Sequence, residues 1–242
     1  MGKTVIFHSF QGGIGKATII SNLAVELARQ GKKIAILDFD LYSPSLHVFF
    51  GIQKNKIQNT INDFLKKEID IRDVSIEIIE NHLYLFPLSL NSLDLVEIAR
   101  DGYDTHKFIL LVKLIMKNLK LDFLFIDTPS GINQDALLAT SIADELILVL
   151  KPDKHQIEGS RILLEFANKI TACKIGIIVN KCQTNHSRES ICKEIEKQLK
   201  TSILTCLSYS EKLQEHENNS IFIEKNPDDP FSKELQKLSK LL

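Results

Sequence analysis

The chain has 242 residues, of which 44% are apolar and 25% are charged, and it contains no Trp. This length suits one α/β domain, and the composition is typical of a globular protein with a large core, which excludes disorder over most of the chain. The formal net charge of −1 gives no overall electrostatic reason to expect nucleic acid or an anionic membrane as a partner.

The start of the chain does not resemble a signal peptide, because its apolar run TVIF is short and leads directly into a glycine-rich stretch. No apolar run approaches the roughly 20 residues that a membrane-spanning helix needs. We therefore expect a cytoplasmic protein. The four cysteines, Cys173, Cys182, Cys192 and Cys206, form no CxxC pair, so we expect reduced and mostly buried thiols.

Short apolar segments alternate with longer helical patterns along the chain. Segments that are apolar on both faces are typical of strands buried within a parallel sheet. Seven segments are predicted to be strands: 3–8, 33–38, 83–88, 122–127, 145–150, 174–180 and 202–207. The alternation predicts right-handed βαβ units in a doubly wound α/β fold, with a mostly parallel central sheet flanked by helices.

The first predicted helix carries Ile19, Leu23 and Leu27 at three-to-four spacing before Gly31 ends it. Further helices are predicted at 106–119, 134–142, 156–170 and 187–200. Residues 51–82 form a polar segment that interrupts this rhythm, and we interpret it as an insertion or as peripheral helices.

The last residues, DPFSKELQKLSKLL, place Phe231, Leu235, Leu238 and Leu242 on one helical stripe with lysines on other faces. Such a stripe is what a helix needs in order to close a sheet, and this interpretation is favoured. The alternative is a basic amphipathic helix that lies on a membrane surface.

The stretch QGGIGKAT, residues 11–18, follows the first predicted strand and opens the first helix. This order aims backbone N–H groups and a helix N-terminus at one point, where they can hold phosphate oxygens, and Lys16 adds a positive charge. The phosphate-loop pattern GxxxxGK[ST] fails at two positions, because Phe10 stands for the first Gly and Ala17 for the hydroxyl that binds Mg²⁺.

Two acidic segments follow later strands. LDFDLYSPSL places Asp38 and Asp40 at the end of the second strand, and FLFIDTPSG places Asp127 at the end of the strand at 122–127. Carboxylates at strand ends can hold a Mg²⁺ ion and orient water for the hydrolysis of a nucleoside triphosphate. They can also cap helices, but the glycine loop upstream favours the first interpretation.

A fourth segment, IIVNK, places Asn180 at the end of a late strand. An Asn side chain offers a donor and an acceptor to the edge of a nucleobase. Together the four segments resemble the MinD/ParA/Mrp family of P-loop ATPases, whose deviant Walker A loop has the usual form KGGxGKTT. The resemblance covers nearly the whole chain apart from residues 51–120.

The resemblance implies a P-loop NTPase fold in a single nucleotide-binding domain over residues 1–242. This domain would have a variable insertion around 51–120 and a C-terminal helix at 231–242. The implied cofactors are ATP or ADP and Mg²⁺. The implied nucleotide contacts are Gly12, Gly13, Ile14, Gly15, Lys16, Ala17, Thr18, Asn180 and Lys181.

By the same resemblance, Lys16 and Asp40 carry catalysis, with Asp40 orienting the attacking water. Asp38 and Asp127 are assigned to the metal. The family motif DxPxG is matched by Asp127, Pro129 and Gly131, in a switch II turn that approaches the γ-phosphate.

Two positions depart from the family pattern. Gln11 replaces the signature lysine, which in the family reaches the partner's phosphates across a nucleotide-sandwich dimer, and Ala17 replaces the Thr that binds magnesium. A water can replace one hydroxyl, because Mg²⁺ normally keeps several waters. A lost cation costs more, since such charges are worth about 10³-fold in rate in related systems.

Three functions are consistent with these residues. The first is a slow ATPase that dimerises through its nucleotide face and switches its contact with an unidentified protein partner, with nucleic acid not indicated. The second is a nucleotide-binding regulatory or scaffold protein without significant hydrolysis. The third is an iron–sulfur carrier of the Mrp kind, which ranks last because the chain lacks that family's CxxC.

Overall fold

The computed structural model describes residues 2–66, 69–183, 188–216 and 220–242. Within them one sheet contains eight strands: β1 (Lys3–His8), β2 (Ile34–Asp38), β3 (Ile76–Ile79), β4 (Leu83–Phe86), β5 (Phe123–Asp127), β6 (Glu145–Leu150), β7 (Lys174–Cys182) and β8 (Ile203–Ser208).

The α-helices of the described residues vary from single turns to 17 residues. In chain order they are α1 (Lys16–Arg29), α2 (Leu46–Phe49), α3 (Ile61–Lys66), α4 (Ser92–Asp101), α5 (Thr105–Leu119), α6 (Gln134–Ser141), α7 (Lys154–Ile170), α8 (Arg188–Leu199), α9 (Glu211–Glu215), α10 (Phe222–Lys225) and α11 (Pro230–Ser239).

The strands lie in the order β3-β4-β2-β5-β1-β6-β7-β8. All neighbouring pairs are parallel except β3 with β4. Side chains that alternate along a strand enter two apolar cores on opposite faces of the sheet: Val5 and Phe7 enter one, and Ile6 enters the other. The predicted doubly wound, mostly parallel α/β fold is confirmed.

The predicted elements match those of the structure within a few residues, and β1 and β6 have the predicted bounds. Helix α8 corresponds to the prediction at 187–200, whose first residue lies outside the described residues. Strand β3 was not predicted. It pairs only with β4 and is about half-buried, so it lacks the continuous apolar pattern of the interior strands.

The polar segment at 51–82 contains α3, the edge strand β3 and two short 3₁₀ turns, at Lys54–Lys56 and Ile71–Asp73. Its buried side chains, among them Ile61 and Leu65, join the core on one face of the sheet. The segment contains an edge strand as well as helices. Lys67 and Glu68 within it lie outside the described residues.

Helix α11 buries its apolar stripe, because Phe231 and Leu235 are 0% exposed and Leu238 is 1% exposed. The helix packs against β8 and α1. The interpretation that it closes the sheet is confirmed, and the membrane-surface alternative is wrong for this stripe, whose side chains are already covered. No described helix combines the length and apolar character needed to cross a bilayer.

The prediction of four reduced thiols is wrong for Cys192 and Cys206, which are joined in a disulfide with a Cα–Cα distance of 6.7 Å. Helix α8 packs beside β8, so the fold brings together two cysteines whose spacing carries no motif. Cys173 and Cys182 are free thiols, and burial raises the pKa of Cys182 to about 11.

Candidate functional site

The glycine-rich loop lies between β1 and α1, at the carboxyl edge of the sheet. Gly15 caps α1 with a φ of 95°, a left-handed conformation that favours glycine. A Cβ on Gly15 would lie 2.6 Å from the side-chain nitrogen of Asn180. Helix α1 begins directly after this turn, so its first unpaired backbone N–H groups face the loop and form a site for an anion.

The loop forms one wall of a cavity of about 870 Å³. The structure brings every predicted site residue except Asp38 to this cavity. They are Gly12, Gly13, Ile14, Gly15, Lys16, Ala17, Thr18, Asp40, Asp127, Asn180 and Lys181. Residues far apart in sequence converge here because the carboxyl ends of parallel strands share one edge.

Lys16 is buried between two carboxylates. Its ammonium nitrogen lies 2.5 Å from Asp127 Oδ1 and 3.9 Å from Asp40 Oδ2. Burial raises the pKa of Asp127, while the adjacent Lys16 lowers it. The positive charge of Lys16 therefore compensates the negative charges of Asp127 and Asp40. The same charge is available to a phosphate group that binds at the loop.

Asp38 lies behind the cavity wall and is 2% exposed. Its Oδ2 accepts a hydrogen bond from the backbone N–H of Leu46 at 3.1 Å, whereas Oδ1 has no partner within the described part of the chain. Burial, followed by the charge of Asp127, raises the pKa of Asp38 to about 8. A buried carboxylate oxygen without a partner needs a proton or a cation beside it.

This arrangement fits a Mg²⁺ ion. Asp38 and Asp127 are register partners on the adjacent strands β2 and β5, and both offer the oxygen ligands that Mg²⁺ prefers. Over the described ranges, no three His, Cys, Asp or Glu side chains are grouped to hold a metal by themselves. The remaining ligands would be water and phosphate oxygens, as is usual for this ion.

Asn180 and Lys181 hold the loop from the neighbouring strand β7. The Asn180 Nδ2 donates to the carbonyl of Ile14 at 2.7 Å, and its Oδ1 accepts from the backbone N–H of Lys181 at 2.8 Å. The Lys181 ammonium donates to the carbonyl of Gly13 at 3.5 Å. Both side chains therefore have a structural role in the loop, and their contact with a base stays a prediction.

One wall of the cavity has no counterpart among the predicted residues. It consists of the segment after β8 and residues near α2, with Phe49, Tyr209, Leu213 and Gln214 among its members. The Tyr209 hydroxyl donates to Gln214 Oε1 at 2.9 Å. No motif marks Tyr209, Leu213 and Gln214, which follow β8.

His8 was not assigned a role from the sequence. Its Nδ1 lies 2.9 Å from Thr128 Oγ1, and the Thr128 hydroxyl lies 2.9 Å from the carbonyl of Phe7. Burial and the charge of Lys16 lower the pKa of His8 to about 3. A neutral His8 therefore ties the end of β1 to the segment after β5.

Gln11 is not among the described residues that line the cavity. Its Oε1 accepts a hydrogen bond from Gln156 Nε2 on α7 at 2.5 Å. Phe10 also lies on α7, with its ring centroid 5.5 Å from that of His155. The first part of the loop thus contacts α7, and Lys16 in the second part contacts Asp127 and Asp40.

Comparisons with known proteins identify the family of this chain. A sequence model of the ParA family, described as NUBPL iron-transfer P-loop NTPase, matches residues 1–242. An uncharacterised ATP-binding protein of Methanocaldococcus jannaschii is 33% identical over 204 residues, which are 84% of this chain and 73% of that protein. The septum site-determining protein MinD of Escherichia coli K12 is 31% identical over 177 residues, 70% of this chain and 60% of that protein.

The solved structure of MinD from Pyrococcus horikoshii, complexed with Mg-ADP, matches with a TM-score of 0.85 and 22% identity. It covers 100% of this chain and 96% of that one. At this identity the likeness supports the fold alone. The family model, however, spans the whole chain, and the phosphate loop, Asp40 and Asp127 line one cavity. The chain therefore belongs to the MinD/ParA family of ATP-binding P-loop NTPases.

Proposed function

We propose that this chain binds ATP and ADP with Mg²⁺, dimerises through its nucleotide face in the ATP state, and hydrolyses ATP slowly. The cycle would switch its contact with a protein partner. The observation that carries the proposal is the buried Lys16 between Asp127 and Asp40, in the wall of the cavity that the loop forms.

Binding would use the backbone N–H groups of the loop and the Lys16 ammonium, which would exchange part of its contact with Asp127 for phosphate oxygens. Asp38 and Asp127 would hold Mg²⁺ through their oxygens. When bound, the ion would neutralise charge on the outer phosphates.

In this proposal Asp40 would orient the attacking water. Its Oδ1 accepts from the backbone N–H groups of Tyr42 and Ser43 at 3.2 and 3.1 Å, so the carboxylate is fixed in the cavity wall. A carboxylate fixed in this way can accept a hydrogen bond from water and align it for attack on a phosphorus atom.

The ATPase proposal is tested by measuring phosphate release from the wild type and from Asp40→Ala. We expect the variant to lose most of the turnover while still binding ADP. The control is Asp228→Ala, since this aspartate side chain is 93% exposed. Equal turnover in the wild type and Asp40→Ala would refute the hydrolysis claim.

The dimerisation proposal is tested by light scattering with ADP and with a non-hydrolysable ATP analogue. The expected result is a dimer with the analogue and a monomer with ADP. The same size in both states would contradict a switch that depends on the γ-phosphate.

A second candidate is a nucleotide-binding regulator without significant hydrolysis, and Ala17 favours it because this position offers no hydroxyl to the metal. This candidate predicts nucleotide binding that depends little on Mg²⁺. Calorimetry of ATP binding with Mg²⁺ and with EDTA distinguishes the two, since strong metal dependence argues against the regulator.

The iron–sulfur carrier stays a third candidate, because the description of the matching family model names iron transfer. Cys173 and Cys182 are the free cysteines of the described structure. Iron and sulfide analysis of anaerobically purified protein tests this candidate, and absence of both would exclude a resident cluster.

A further inference from the structure

The first part of the phosphate loop, Phe10 and Gln11, is held by helix α7 of the same chain. The Gln11 side chain accepts from Gln156 Nε2 at 2.5 Å, and its backbone carbonyl accepts from Ser9 Oγ at 3.0 Å. Position 11 is where the resemblance expects a residue that reaches the partner of a dimer. Here that side chain already has an intrachain partner.

The Phe10 ring occupies the place that a side chain at Gly159 would need. A Cβ on Gly159 would lie 2.1 Å from the nearest ring atom, far inside van der Waals contact. The ring also lies beside His155, one turn earlier on α7. The close approach of the ring to the helix therefore depends on glycine at position 159.

Gln156 is 2% exposed, and its Oε1 has no hydrogen-bond partner in the described portion of the chain. A buried amide without hydrogen bonds destabilises the fold. The described bond of the Gln156 side chain is the one from Nε2 to Gln11. Breaking this bond would leave both polar atoms of the Gln156 amide without a partner. The cost of that loss holds the Gln11 side chain in its position.

We propose that Gln11 acts within its own chain, and that Gln156 and Gly159 are positioning residues that hold the phosphate loop on α7. This inference rests on the proposed nucleotide function and deepens it. The second part of the loop binds phosphate, and α7 fixes the first part so that the backbone N–H groups keep their geometry before any nucleotide arrives.

A Gln11 that acts within its own chain and a Gln11 that acts across a dimer would affect nucleotide binding differently. A contact within one chain supports ADP and ATP binding alike, in the monomer, whatever the protein concentration. A contact with the partner's phosphates supports only the ATP state, and its effect grows as the dimer forms.

The first test is calorimetric binding of ADP and of a non-hydrolysable ATP analogue to wild type, Gln11→Ala, Gln156→Met and the double variant. It is carried out below and above the protein concentration at which the analogue changes the size of the protein. We expect each single variant to lose about fivefold in affinity for both nucleotides at both concentrations. The double variant should be no weaker than the weaker single one, because both changes remove one contact.

Gln11 is exposed, so Gln11→Ala reports on the contact even if Gln156→Met destabilises the fold. A loss confined to the ATP analogue and to the higher concentration would overturn the proposal in favour of a contact across the dimer. Affinities for both nucleotides within twofold of wild type would also overturn it. If the wild type binds no nucleotide, the proposed function itself fails, and this inference fails with it.

The second test uses Gly159→Ala, which we expect to weaken ADP binding by displacing the Phe10 ring. Alanine favours a helix more than glycine does, so a loss of affinity without a loss of thermal stability indicates positioning and not unfolding. Phe10→Ala together with Gly159→Ala should recover at least part of the affinity, because the added Cβ then has space. The control is Ser160→Ala on the same helix, and equal affinities in Gly159→Ala and Ser160→Ala would contradict the role of the ring.

Discussion

The two ends of the phosphate loop differ in what holds them. At the end near α1, the charged Lys16 lies between Asp127 and Asp40 in the cavity wall. At the end near β1, the uncharged Phe10 and Gln11 lie on α7, and Gln11 is not among the described cavity residues. The first end carries the charge that phosphate chemistry needs, and the second carries none.

This difference indicates that the departures from the family motif have unequal consequences. A change at the charged end alters the interactions that phosphate and Mg²⁺ would make directly. A change at the uncharged end alters the position of the backbone, and with it the binding of every nucleotide.

Lys16→Met should have the largest effect, because it removes the phosphate cation and leaves Asp127 buried without its partner. We expect ATP and ADP affinities to fall by about 100-fold, the upper range for a hydrogen bond to a charged group. Calorimetry measures this effect, with the exposed Lys32→Met as the control. A loss below about fivefold would show that the charged end is not the main phosphate contact.

Asp38→Asn should separate metal binding from stability. The raised pKa, about 8, means that folded Asp38 binds a proton between about pH 4 and 8, where the unfolded chain does not. Its contribution to stability therefore falls as pH rises through this window. We expect the variant to raise the melting temperature of the nucleotide-free protein, more at pH 8 than at pH 5.

The same variant should weaken Mg²⁺-dependent ATP binding by about tenfold, since an amide cannot supply a charged ligand. Differential scanning fluorimetry across pH and calorimetry with Mg²⁺ and EDTA measure the two effects. Asp122→Asn, which removes a carboxylate at the other end of β5, is the control. If Asp38→Asn melts at a lower temperature than the wild type at pH 8, the claim that the charge of Asp38 is uncompensated is wrong.

His8 should give a pH dependence opposite in direction to that of Asp38. Its pKa is lowered to about 3, so between about pH 6.5 and 3 the unfolded chain binds a proton that folded His8 does not. The free energy of unfolding therefore falls as pH falls through this window, by at most about 1.4 kcal/mol for each pH unit. Urea unfolding of His8→Gln should show a smaller slope, and an unchanged slope would contradict the buried neutral imidazole.

Ala17→Thr should have the smallest effect, because one water can replace one hydroxyl. Ala17 lies in the cavity wall and is only partly buried, so the larger side chain has space. We expect ATP affinity to rise about threefold with Mg²⁺ and to stay unchanged with EDTA. An equal gain in EDTA would indicate packing and not metal binding.

The sequence predicts the sheet well because each interior strand is covered on both faces, and this burial requires unbroken apolar runs such as ELILVL. Parallel strands all end at one edge of the sheet, so the sequence alone places Asp38 and Asp127 there, at the ends of β2 and β5. Strand β3 does not follow this rule, because it lies at the edge and has only one neighbour.

The contacts on α7 could not be predicted, because no local pattern connects Gln11 to Gln156, which is 145 positions away. The disulfide of Cys192 with Cys206 could not be predicted for the same reason, because it joins a helix and a strand that only the fold brings together. A sequence motif identifies residues that lie in one turn of the chain or at one edge of the sheet. Pairings between separate elements depend on packing, which one sequence does not specify.

The helix that follows the phosphate loop is covered by residues from the other end of the chain. Asn22 in α1 accepts a hydrogen bond from the backbone of Ile223, 201 positions later, and Gln30 donates to Ser239. At a synthesis rate of about 5–20 residues per second, roughly 10–40 s separate the translation of α1 from that of its cover. Until then the side of α1 that packs against α10 and α11 lacks its cover.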